Sequence, residues 1–349
     1  MRILLIADPH IPVPPSHYGG AERIVHLYAQ EFARLGHAVH LLAGPGSCSY
    51  GGRLSIHFAP SMAYSSRARR KIQFQIQSLW AARDCDVVYN HGRFDYLDFL
   101  LKARKPILHH FHCPIDQSQI DLAQKRIRSN VRFHCISKNQ YSSASIAVPT
   151  LVAPNPLDTH AYRAGDGNGG YLVFLGRLTS QKGVDVAISV AQKTGKRLII
   201  AGNIPHDEGS KVFFHQEIEP HLDGEQISWI GPVNDAQKQA LLGEAEALLF
   251  PIRGGEAFGI VMVEALACGT PVIATRREAT PEVVEHGITG FLCDPDEPSV
   301  AAFASAVAQL SSLRRHDCRL AAEEFFDVRV IAPRVLEVLT QLADCADGG

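Results

Sequence analysis

The stretch 247-ALLFPIRGGEAFGIVMVEALACGTPVIA-274 predicts a buried strand, a loop of small residues, a helix and a second buried strand. The apolar runs at residues 247–250 and 271–274 suit strands that are covered on both faces. We expect the helix over residues 260–268, where Gly269 and Pro271 end it. Because strands that alternate with helices build parallel sheets, this stretch predicts an α/β fold with helices packed on the sheet.

The same alternation occurs in both halves of the chain. In the first half, a strand at residues 2–7 leads through a Pro- and Gly-rich loop into a helix at 21–35. A second series begins after the glycine-rich segment 164–170, which suits a flexible connection. The further predicted elements are strands at 38–43, 86–89, 106–110, 131–136, 171–175, 197–201 and 227–230, and helices at 184–194 and 236–245.

Two domains are therefore expected, the first at residues 1–160 and the second at 161–325. The 349 residues and the hydrophobic content of 46% suffice for two well-packed cores. Residues 326–349 contain a helical apolar stripe, which we predict to pack back toward the first domain. Pro333 is expected to disturb the first turns of that helix.

Charge and cysteine usage indicate which partners and which cellular compartment suit the chain. The formal net charge is -2, so the chain as a whole offers no attraction for nucleic acid. Lys and Arg exceed Asp and Glu in the first 160 residues, and the reverse holds afterwards. This asymmetry suits an anionic ligand, acceptor or membrane at the first domain. The cysteines are scattered and no apolar stretch has the length of a signal peptide or a membrane span, so we expect a cytoplasmic protein.

Two glutamates flank the start of the helix in the quoted stretch. Backbone N–H groups at such a start form an anion site, and Gly259 lets a phosphate approach the main chain closely. Helical geometry throughout would separate Glu256 from Glu264 by roughly 12 Å of rise, so the two carboxylates do not share one proton. We interpret them as holding two parts of one long ligand, with a diphosphate between them. The residues assigned to the ligand at this helix start are Ala257, Phe258, Gly259, Ile260 and Val261.

Both glutamates also have a simpler interpretation, as a surface loop residue and a polar residue on a buried helix. Glu264 argues against it, because its helix is apolar nearly all round and an unpaired carboxylate there would be costly. The loop Gly176-Arg-Leu-Thr-Ser-Gln-Lys-Gly183 adds two cations after a predicted strand. Arg177 and Lys182 can neutralise a diphosphate and stabilise it as a leaving group, although a solvated basic turn is the alternative.

Together these motifs resemble the retaining nucleotide-sugar glycosyltransferases of the GT-B fold, in particular glycosyltransferase family 4. Glu256 and Glu264 match that family's pattern of two glutamates separated by seven residues. The resemblance implies two Rossmann-like β/α/β domains that face each other across a deep cleft. It places Glu256 beside the donor sugar, Glu264 on the ribose hydroxyls, and Arg177 and Lys182 on the donor phosphates. Further motifs in the family's order are 18-YGGAE-22, Gly36-His37, Pro154-Asn155 with Asp158, and the loop from Gly176 to Gly183.

The resemblance assigns further parts of the site. The loop with Gly19 and Gly20 is implied to close over the donor phosphates from the opposite domain. His112 occupies the place of the family's active-site histidine, where it would hydrogen-bond the donor sugar. The nucleobase is expected near Gly231 and Val233, where backbone groups can read its edge.

One segment departs from the family pattern. Family members often have a glycine-rich turn just before the residue that matches Glu282, whereas this chain has Arg276-Arg-Glu-Ala279. The resemblance therefore assigns no contacts to this loop.

The run His109-His-Phe-His-Cys-Pro114 could also suggest a metal site. Alternation along a strand puts His110 and His112 on one face and His109 on the other, in the core or a loop. A metal ion would then need ligands that the sequence does not identify. We therefore expect no metal site.

Residues 67–80 combine basic residues with a helical apolar stripe. We expect the stripe to belong to the core and the charges to be solvated. The alternative is a peripheral contact with anionic lipid at the inner face of the membrane, as in some relatives. The residues concerned are Arg67, Arg69, Arg70 and Lys71 for the charges, and Ile72, Ile76, Leu79 and Trp80 for the stripe.

The expected reaction moves a hexosyl group from a nucleotide-diphosphate sugar to a hydroxyl acceptor. The second domain would hold the donor, with UDP favoured over GDP, and the first domain a small-molecule, lipid-linked or saccharide acceptor. Substitution on one face of the sugar passes through an oxocarbenium-like transition state, and the departing diphosphate helps to accept the proton, so no metal or other cofactor is needed. The catalytic residues in this scheme are His112, Glu256, Arg177 and Lys182.

Two other functions remain as alternatives. A nucleotide-sugar epimerase of the GT-B fold would act on the donor without an acceptor. A sugar-binding partner subunit without catalytic activity would not need Glu256, Arg177, Lys182 and His112 together. Dehydrogenases and NTPases are disfavoured, because the first strand is followed neither by Gly-x-Gly-x-x-Gly nor by a Walker loop.

Overall fold

The computed structural model shows two α/β units, each built on one parallel sheet. Unit 1 comprises Met1–Leu157 and Val328–Gly349, and unit 2 comprises Asp158–Asp327. The structure describes residues 1–15, 19–56, 67–127, 130–294 and 299–347, with the side chains of residues 67, 346 and 347 excepted. Tyr18 of the motif 18-YGGAE-22 lies outside these ranges.

The sheet of unit 1 has seven parallel strands in the order β3-β2-β1-β4-β5-β6-β7. The first strand lies inside the sheet because its residues are almost entirely apolar and are buried on both faces. The strands are β1 (Arg2–Ile6), β2 (Ala38–Ala43), β3 (Gly51–Ile56), β4 (Val87–Asn90), β5 (Ile107–His110), β6 (Val131–Cys135) and β7 (Thr150–Val152). The helices that connect them are α1 (Gly20–Arg34), α2 (Arg67–Ala81), α3 (Asp98–Lys102), α4 (Gln117–Gln124) and α5 (Lys138–Ser142).

The sheet of unit 2 has six parallel strands in the order β10-β9-β8-β11-β12-β13. The strands are β8 (Tyr171–Leu175), β9 (Arg197–Ala201), β10 (Ile227–Trp229), β11 (Ala247–Phe250), β12 (Val272–Thr275) and β13 (Gly290–Cys293). The helices are α6 (Val184–Thr194), α7 (Glu208–Phe213), α8 (Asp235–Glu244), α9 (Ile260–Ala267), α10 (Thr280–Val283), α11 (Val300–Ala308) and α12 (Arg315–Phe326).

Strand order reverses at the first strand of each unit. In unit 1, β1 lies between β2 and β4, and in unit 2, β8 lies between β9 and β11. Ligands of open α/β sheets bind beyond the carboxyl ends of the strands at such reversals. The fold therefore directs attention to the loops that follow β1 and β4, and β8 and β11.

The last helix, α13 (Val328–Asp347), completes the core of unit 1. Its apolar face packs on α1, β4 and β5, and Ile331, Val335 and Leu339 are fully buried in the same cluster as β1. The disturbance expected from Pro333 does not interrupt the helix, which is continuous through that residue. Proline so close to the amino end removes one backbone hydrogen bond from the ladder and leaves the later turns intact.

The predicted α/β fold with two Rossmann-like domains is confirmed, but the sequence analysis did not predict the three strands β3, β7 and β13. The strands β3 and β7 form the two edges of the first sheet, and β13 forms an edge of the second. Both β3 and β7 are partly exposed along their length, which weakens the apolar run that marks a buried strand.

All eight cysteines are free thiols. Among the described residues, no helix combines the length and the apolar character needed to cross a membrane.

Candidate active site

Two loops of unit 2 meet because the strands that precede them, β8 and β11, are neighbours in the sheet. Lys182 lies in the first loop, just before α6, and Gly183 follows it with a left-handed φ of 72°. A Cβ at Gly183 would lie 2.0 Å from the carbonyl oxygen of Pro251, directly after β11, so glycine is required for this approach. The approach brings Lys182 to Glu256 in the second loop.

Glu256 is held through both its side chain and its backbone. Its carboxylate accepts a hydrogen bond from Lys182 Nζ, and the two side chains are only 20% and 14% exposed. Its backbone N–H donates to one carboxylate oxygen of Glu278 at 2.6 Å, and the N–H of Gly255 donates to the other at 2.8 Å. Two predicted site residues are therefore in direct contact, and Glu278, which the sequence patterns did not single out, supports one of them.

The helix start after Glu256 has the geometry expected of an anion site. Gly259 caps α9 with φ 82°, and a Cβ there would lie 2.8 Å from Met262 Cε and 3.0 Å from Phe250 Cζ. Ala257 and Phe258 are buried, which fixes the turn before the helix. The N–H groups of Ile260 and Val261 belong to the first turn, where an α-helix lacks acceptors of its own.

Arg177, two residues after the end of β8, differs from Lys182 in its surroundings. Its side chain is exposed, and it makes no ion pair with a carboxylate in the part of the chain that the structure describes. The guanidinium can therefore turn toward a phosphate at little cost, whereas Lys182 must share its charge with Glu256.

Glu264 has partners that the sequence did not reveal. Its carboxylate accepts hydrogen bonds from Lys238 Nζ of α8 and, at 3.0 Å, from the hydroxyl of Tyr162. The Glu264 and Lys238 side chains are 8% and 13% exposed, and Lys238 also lies 3.2 Å from Asp235. Burial and the nearby carboxylate raise the pKa of Tyr162, which remains a donor. Because the carboxylate is paired, its burial does not by itself argue against the simpler interpretation of Glu264 as a polar residue on a buried helix.

The residues expected near the nucleobase follow β10. Gly231 has φ 74°, and its carbonyl accepts the N–H of Gly202 at 2.9 Å, while Val233 is partly exposed two residues later. Trp229 Nε1 donates to the carbonyl of Gly202 at 3.0 Å, which ties the ends of β9 and β10 together. This loop lies at the carboxyl edge of the sheet, on the same edge as the loops of Lys182 and Glu256.

In unit 1, Gly19 and Gly20 form the start of α1. Gly19 is buried, and a Cβ there would lie 2.7 Å from Pro15 Cβ and 3.0 Å from a carboxylate oxygen of Glu22. Gly20 is exposed, and a Cβ there would have nothing within 4 Å. Burial raises the pKa of Glu22.

His112 belongs to a group of stacked imidazoles at the carboxyl ends of β4, β5 and β6. The predicted alternation is confirmed: the rings of His110 and His112 stack at 4.1 Å, whereas His109 points away, to Asn90 at 2.8 Å. His91, which follows β4, places Nδ1 at 3.0 Å from His112 Nε2. Burial lowers the pKa of His112 to about 3 and that of His134 to about 4, so both are neutral at pH 7. The neighbouring strands explain why His91 arrives there, because the carboxyl ends of β4 and β5 meet at one edge.

The apolar stripe of α2 is exposed, and the expectation that it belongs to the core is wrong. Ile72, Ile76, Leu79 and Trp80 are between 36% and 54% exposed. The helix instead buries the opposite face, including Phe74, Ser78 and Ala81. The guanidinium groups of Arg83 and Arg53 lie 4.3 Å and 5.1 Å from the ring centre of Trp80. Arg67 contributes backbone to this helix, but its side chain lies outside the described part.

The chain is similar to known proteins along nearly its whole length. Residues 163–325 match the family model described as glycosyl transferases group 1, and residues 18–148 match that of glycosyltransferase family 4. A phosphatidyl-myo-inositol mannosyltransferase of Mycobacterium tuberculosis is 26% identical over 98% of this chain and 97% of its own length.

Solved structures are also similar to this chain in fold along nearly its whole length. A sucrose-phosphate synthase from Thermosynechococcus elongatus has a TM-score of 0.81 at 18% identity, over 99% of both chains. HepE of Anabaena, solved in complex with UDP-glucose, has a TM-score of 0.74 at 21% identity, over 98% of this chain and all of its own.

Proposed function

Because the chain belongs to the GT-B glycosyltransferases of family 4, with a group 1 domain in its second half, we propose that it is a retaining enzyme that uses a nucleotide-diphosphate hexose. UDP-sugar is the preferred donor, with a GDP-sugar as the alternative. The acceptor carries a hydroxyl group, on a small molecule, a saccharide or a lipid-linked molecule. Unit 2 holds the donor and unit 1 binds the acceptor.

The single observation that carries this proposal is the contact between Lys182 and Glu256 beside the start of α9. A cation, a carboxylate and unpaired helical N–H groups then share one small region, which suits a ligand with a diphosphate and a polyhydroxylated ring. The N–H groups and Lys182 attract the phosphates, while the carboxylate can accept hydrogen bonds from sugar hydroxyls.

The ion pair has a consequence for the reaction. A diphosphate that binds Lys182 takes over part of the charge that now faces Glu256, and this leaves the carboxylate able to accept from the sugar. As the bond between sugar and phosphate breaks, negative charge grows on the diphosphate, and Lys182, Arg177 and the first N–H groups of α9 stabilise it. The departing phosphate oxygen accepts the proton of the acceptor hydroxyl on the same face, so the anomeric configuration is retained. No metal or other cofactor takes part in this scheme.

Glu264 and His112 have positioning roles in the proposal. Lys238 and Tyr162 fix Glu264, and the carboxylate keeps enough lone pairs to accept from the ribose hydroxyls. The neutral ring of His112 hydrogen-bonds a sugar hydroxyl, because an imidazole whose pKa is near 3 is a poor base at pH 7. Gly19 and Gly20 offer backbone N–H groups to the phosphates, and the loop of Gly231 and Val233 reads the nucleobase.

The exposed stripe of α2 favours an acceptor at a membrane. Four exposed apolar side chains stand beside basic residues, which is the composition of a helix that lies in a lipid interface. A relative of similar length is named a phosphatidyl-myo-inositol mannosyltransferase, and a lipid-linked acceptor for this chain would be presented at the same interface. We therefore place the enzyme at the inner face of the membrane through α2.

The test is a screen of purified protein with UDP- and GDP-hexoses, with and without lipid, saccharide and small-molecule acceptors, read by mass spectrometry. Glycosyl transfer from a UDP-hexose, lost in Glu256→Gln, is expected, and NMR of the product should show the donor's anomeric configuration. An inverted product would exclude the retaining mechanism. A changed sugar after incubation with the donor alone would indicate an epimerase. Binding of donor without turnover of any acceptor would indicate a non-catalytic subunit.

A further inference from the structure

We propose that His91, His110 and His112 form a binding site for a transition-metal ion, namely Zn²⁺, and that the bound ion blocks sugar transfer by occupying His112. The site lies within unit 1, at the ends of β4 and β5. Binding of the ion is independent of the proposed function, whereas the block rests on it.

The hydrogen bonds around His110 fix which of its nitrogens carries hydrogen. His134 Nε2 lies 2.9 Å from the carbonyl oxygen of Ala153, which can only accept, so this nitrogen is the protonated one. In the neutral ring, His134 Nδ1 is then an acceptor, and the hydroxyl of Tyr89 donates to it at 2.7 Å. The Tyr89 oxygen is left to accept from His110 Nδ1 at 2.9 Å. The hydrogen of His110 is therefore on Nδ1, and its Nε2 carries a free lone pair.

That lone pair is buried without a partner. His110 is 1% exposed and His91 is 6% exposed, and the Nε2 atoms of both rings lack hydrogen-bond partners within the described residues. Buried polar atoms normally have a partner, because leaving one unsatisfied costs free energy. A metal ion would satisfy the Nε2 of His110 directly, and the bond from Nδ1 to Tyr89 is the kind of outer contact that orients a ligating imidazole.

The spacing of the three rings is close to that of a metal site. One nitrogen from each ring lies within 4.8 Å of the other two, and His91 Nδ1 is 3.0 Å from His112 Nε2. Zinc bonds of about 2.1 Å in a tetrahedral site keep ligand nitrogens about 3.4 Å apart, so the largest separation must shorten by roughly 1.4 Å to complete the set. One of the two rings carries the hydrogen that lies between His91 Nδ1 and His112 Nε2. When the ion binds these two atoms, that ring moves the hydrogen to its other nitrogen, so both rings stay neutral.

The three imidazole ligands determine which class of ion binds and how its binding affects sugar transfer. Three neutral imidazoles suit Zn²⁺, Ni²⁺ or Cu²⁺ and do not suit Mg²⁺ or Ca²⁺, which prefer oxygen. Three protein ligands leave a fourth position for water. Once His112 is bound to the ion, it cannot hydrogen-bond the donor sugar, so turnover should fall as Zn²⁺ is added and recover when EDTA removes it.

The binding test uses the full chain, stripped of metal with EDTA and then dialysed. Zn²⁺ is titrated by calorimetry, and Co²⁺ is titrated by the visible absorption that a tetrahedral nitrogen-ligated ion shows. In His110→Asn, the amide still donates to Tyr89 but the second ring nitrogen is absent, so Zn²⁺ affinity should fall at least about tenfold. His91→Asn is the second variant, and His206→Ala, which removes an exposed histidine of unit 2, should bind as tightly as the unchanged chain.

The outcomes separate the two parts of the proposal. Failure of the folded, unchanged chain to bind Zn²⁺, or the same affinity in both asparagine variants, overturns the site. Full turnover by protein saturated with Zn²⁺ overturns the block. Loss of Zn²⁺ inhibition in His110→Asn supports both parts, and the calorimetric result stands even if no sugar transfer is found.

Discussion

The carboxylate of Glu278 accepts a hydrogen bond from the backbone N–H of Glu256 at 2.6 Å and so fixes the loop that carries the proposed sugar-binding glutamate. Its second oxygen accepts from Gly255 at 2.8 Å. Glu278 has φ 54°, a left-handed conformation that is unusual for a residue with a side chain. Strain of this kind persists where surrounding contacts hold it in place, and these two hydrogen bonds do so.

We predict that Glu278→Gln lowers kcat/KM for sugar transfer about tenfold. The amide has one carbonyl acceptor in place of two carboxylate oxygens, so one of the two backbone N–H groups loses its charged partner, worth about 1.5–3 kcal/mol at most. Steady-state kinetics checks this, with Glu324→Gln of α12, which is exposed, as the matched control. Equal kinetics in the two variants would show that Glu278 does not position Glu256.

The pair of Lys182 and Glu256 gives a second prediction. Lys182→Met should lower kcat by about 10²–10³-fold, because a charge that stabilises the leaving diphosphate is removed while the apolar stem is kept. Lys196→Met is the control, since Lys196 also pairs with a glutamate, Glu246, but lies just before β9, at the amino end of that strand. A fall in kcat of less than threefold for Lys182→Met would contradict the assignment to the phosphates.

Glu264 and Lys238 give a prediction about stability. Removing one partner of a buried ion pair leaves an uncompensated charge, so Lys238→Met should lower the free energy of unfolding of unit 2 by about 3 kcal/mol. The double change Lys238→Met with Glu264→Gln should recover part of that loss, because no charge then remains unpaired. Urea unfolding followed by the fluorescence of Trp229 measures this in a Trp80→Phe background, where Trp229 is the remaining tryptophan.

In the same variants, nucleotide binding separates the two roles of Glu264. If the carboxylate also binds ribose, Glu264→Gln should weaken UDP binding more than Lys238→Met does. If the two variants lose UDP affinity equally, Glu264 acts through the structure of α9 alone.

The stripe of α2 predicts binding to anionic vesicles. Ile76→Glu should lower the partition coefficient, measured by sedimentation with phosphatidylglycerol vesicles, by about tenfold or more, since burial of an isoleucine side chain is worth about 1.5–3 kcal/mol. Leu122→Glu changes an exposed apolar residue on α4 and serves as the matched control. Equal sedimentation of the unchanged chain and Ile76→Glu would show that α2 is not the membrane contact.

The sequence predicted what depends on local pattern. Apolar runs identified the inner strands, and the loops predicted after residues 175 and 250 do follow β8 and β11. Contacts between residues distant in the chain left no such pattern. Lys238 and Tyr162 reach Glu264 only because α8 and the segment after residue 158 pack near α9, and periodicity carries no information about that approach.

The sequence also did not predict which face of a helix is buried. In α2 an apolar stripe and a second face with Phe74, Ser78 and Ala81 compete for the core, and the less apolar one is buried. Packing against α3 and the short helical turn at Phe94–Tyr96 decides between them, and those contacts arise only after folding.

The place of α13 in unit 1 imposes an order on the protein's synthesis. A ribosome makes β1 to β7 before unit 2, and it makes α13, whose Ile331, Val335 and Leu339 fill the core of unit 1, after unit 2. Until then the face of the first sheet that α13 covers remains open to water. Synthesis of unit 1 therefore starts before that of unit 2 and is completed after it. Unit 2 is a continuous segment and can fold before unit 1 is complete.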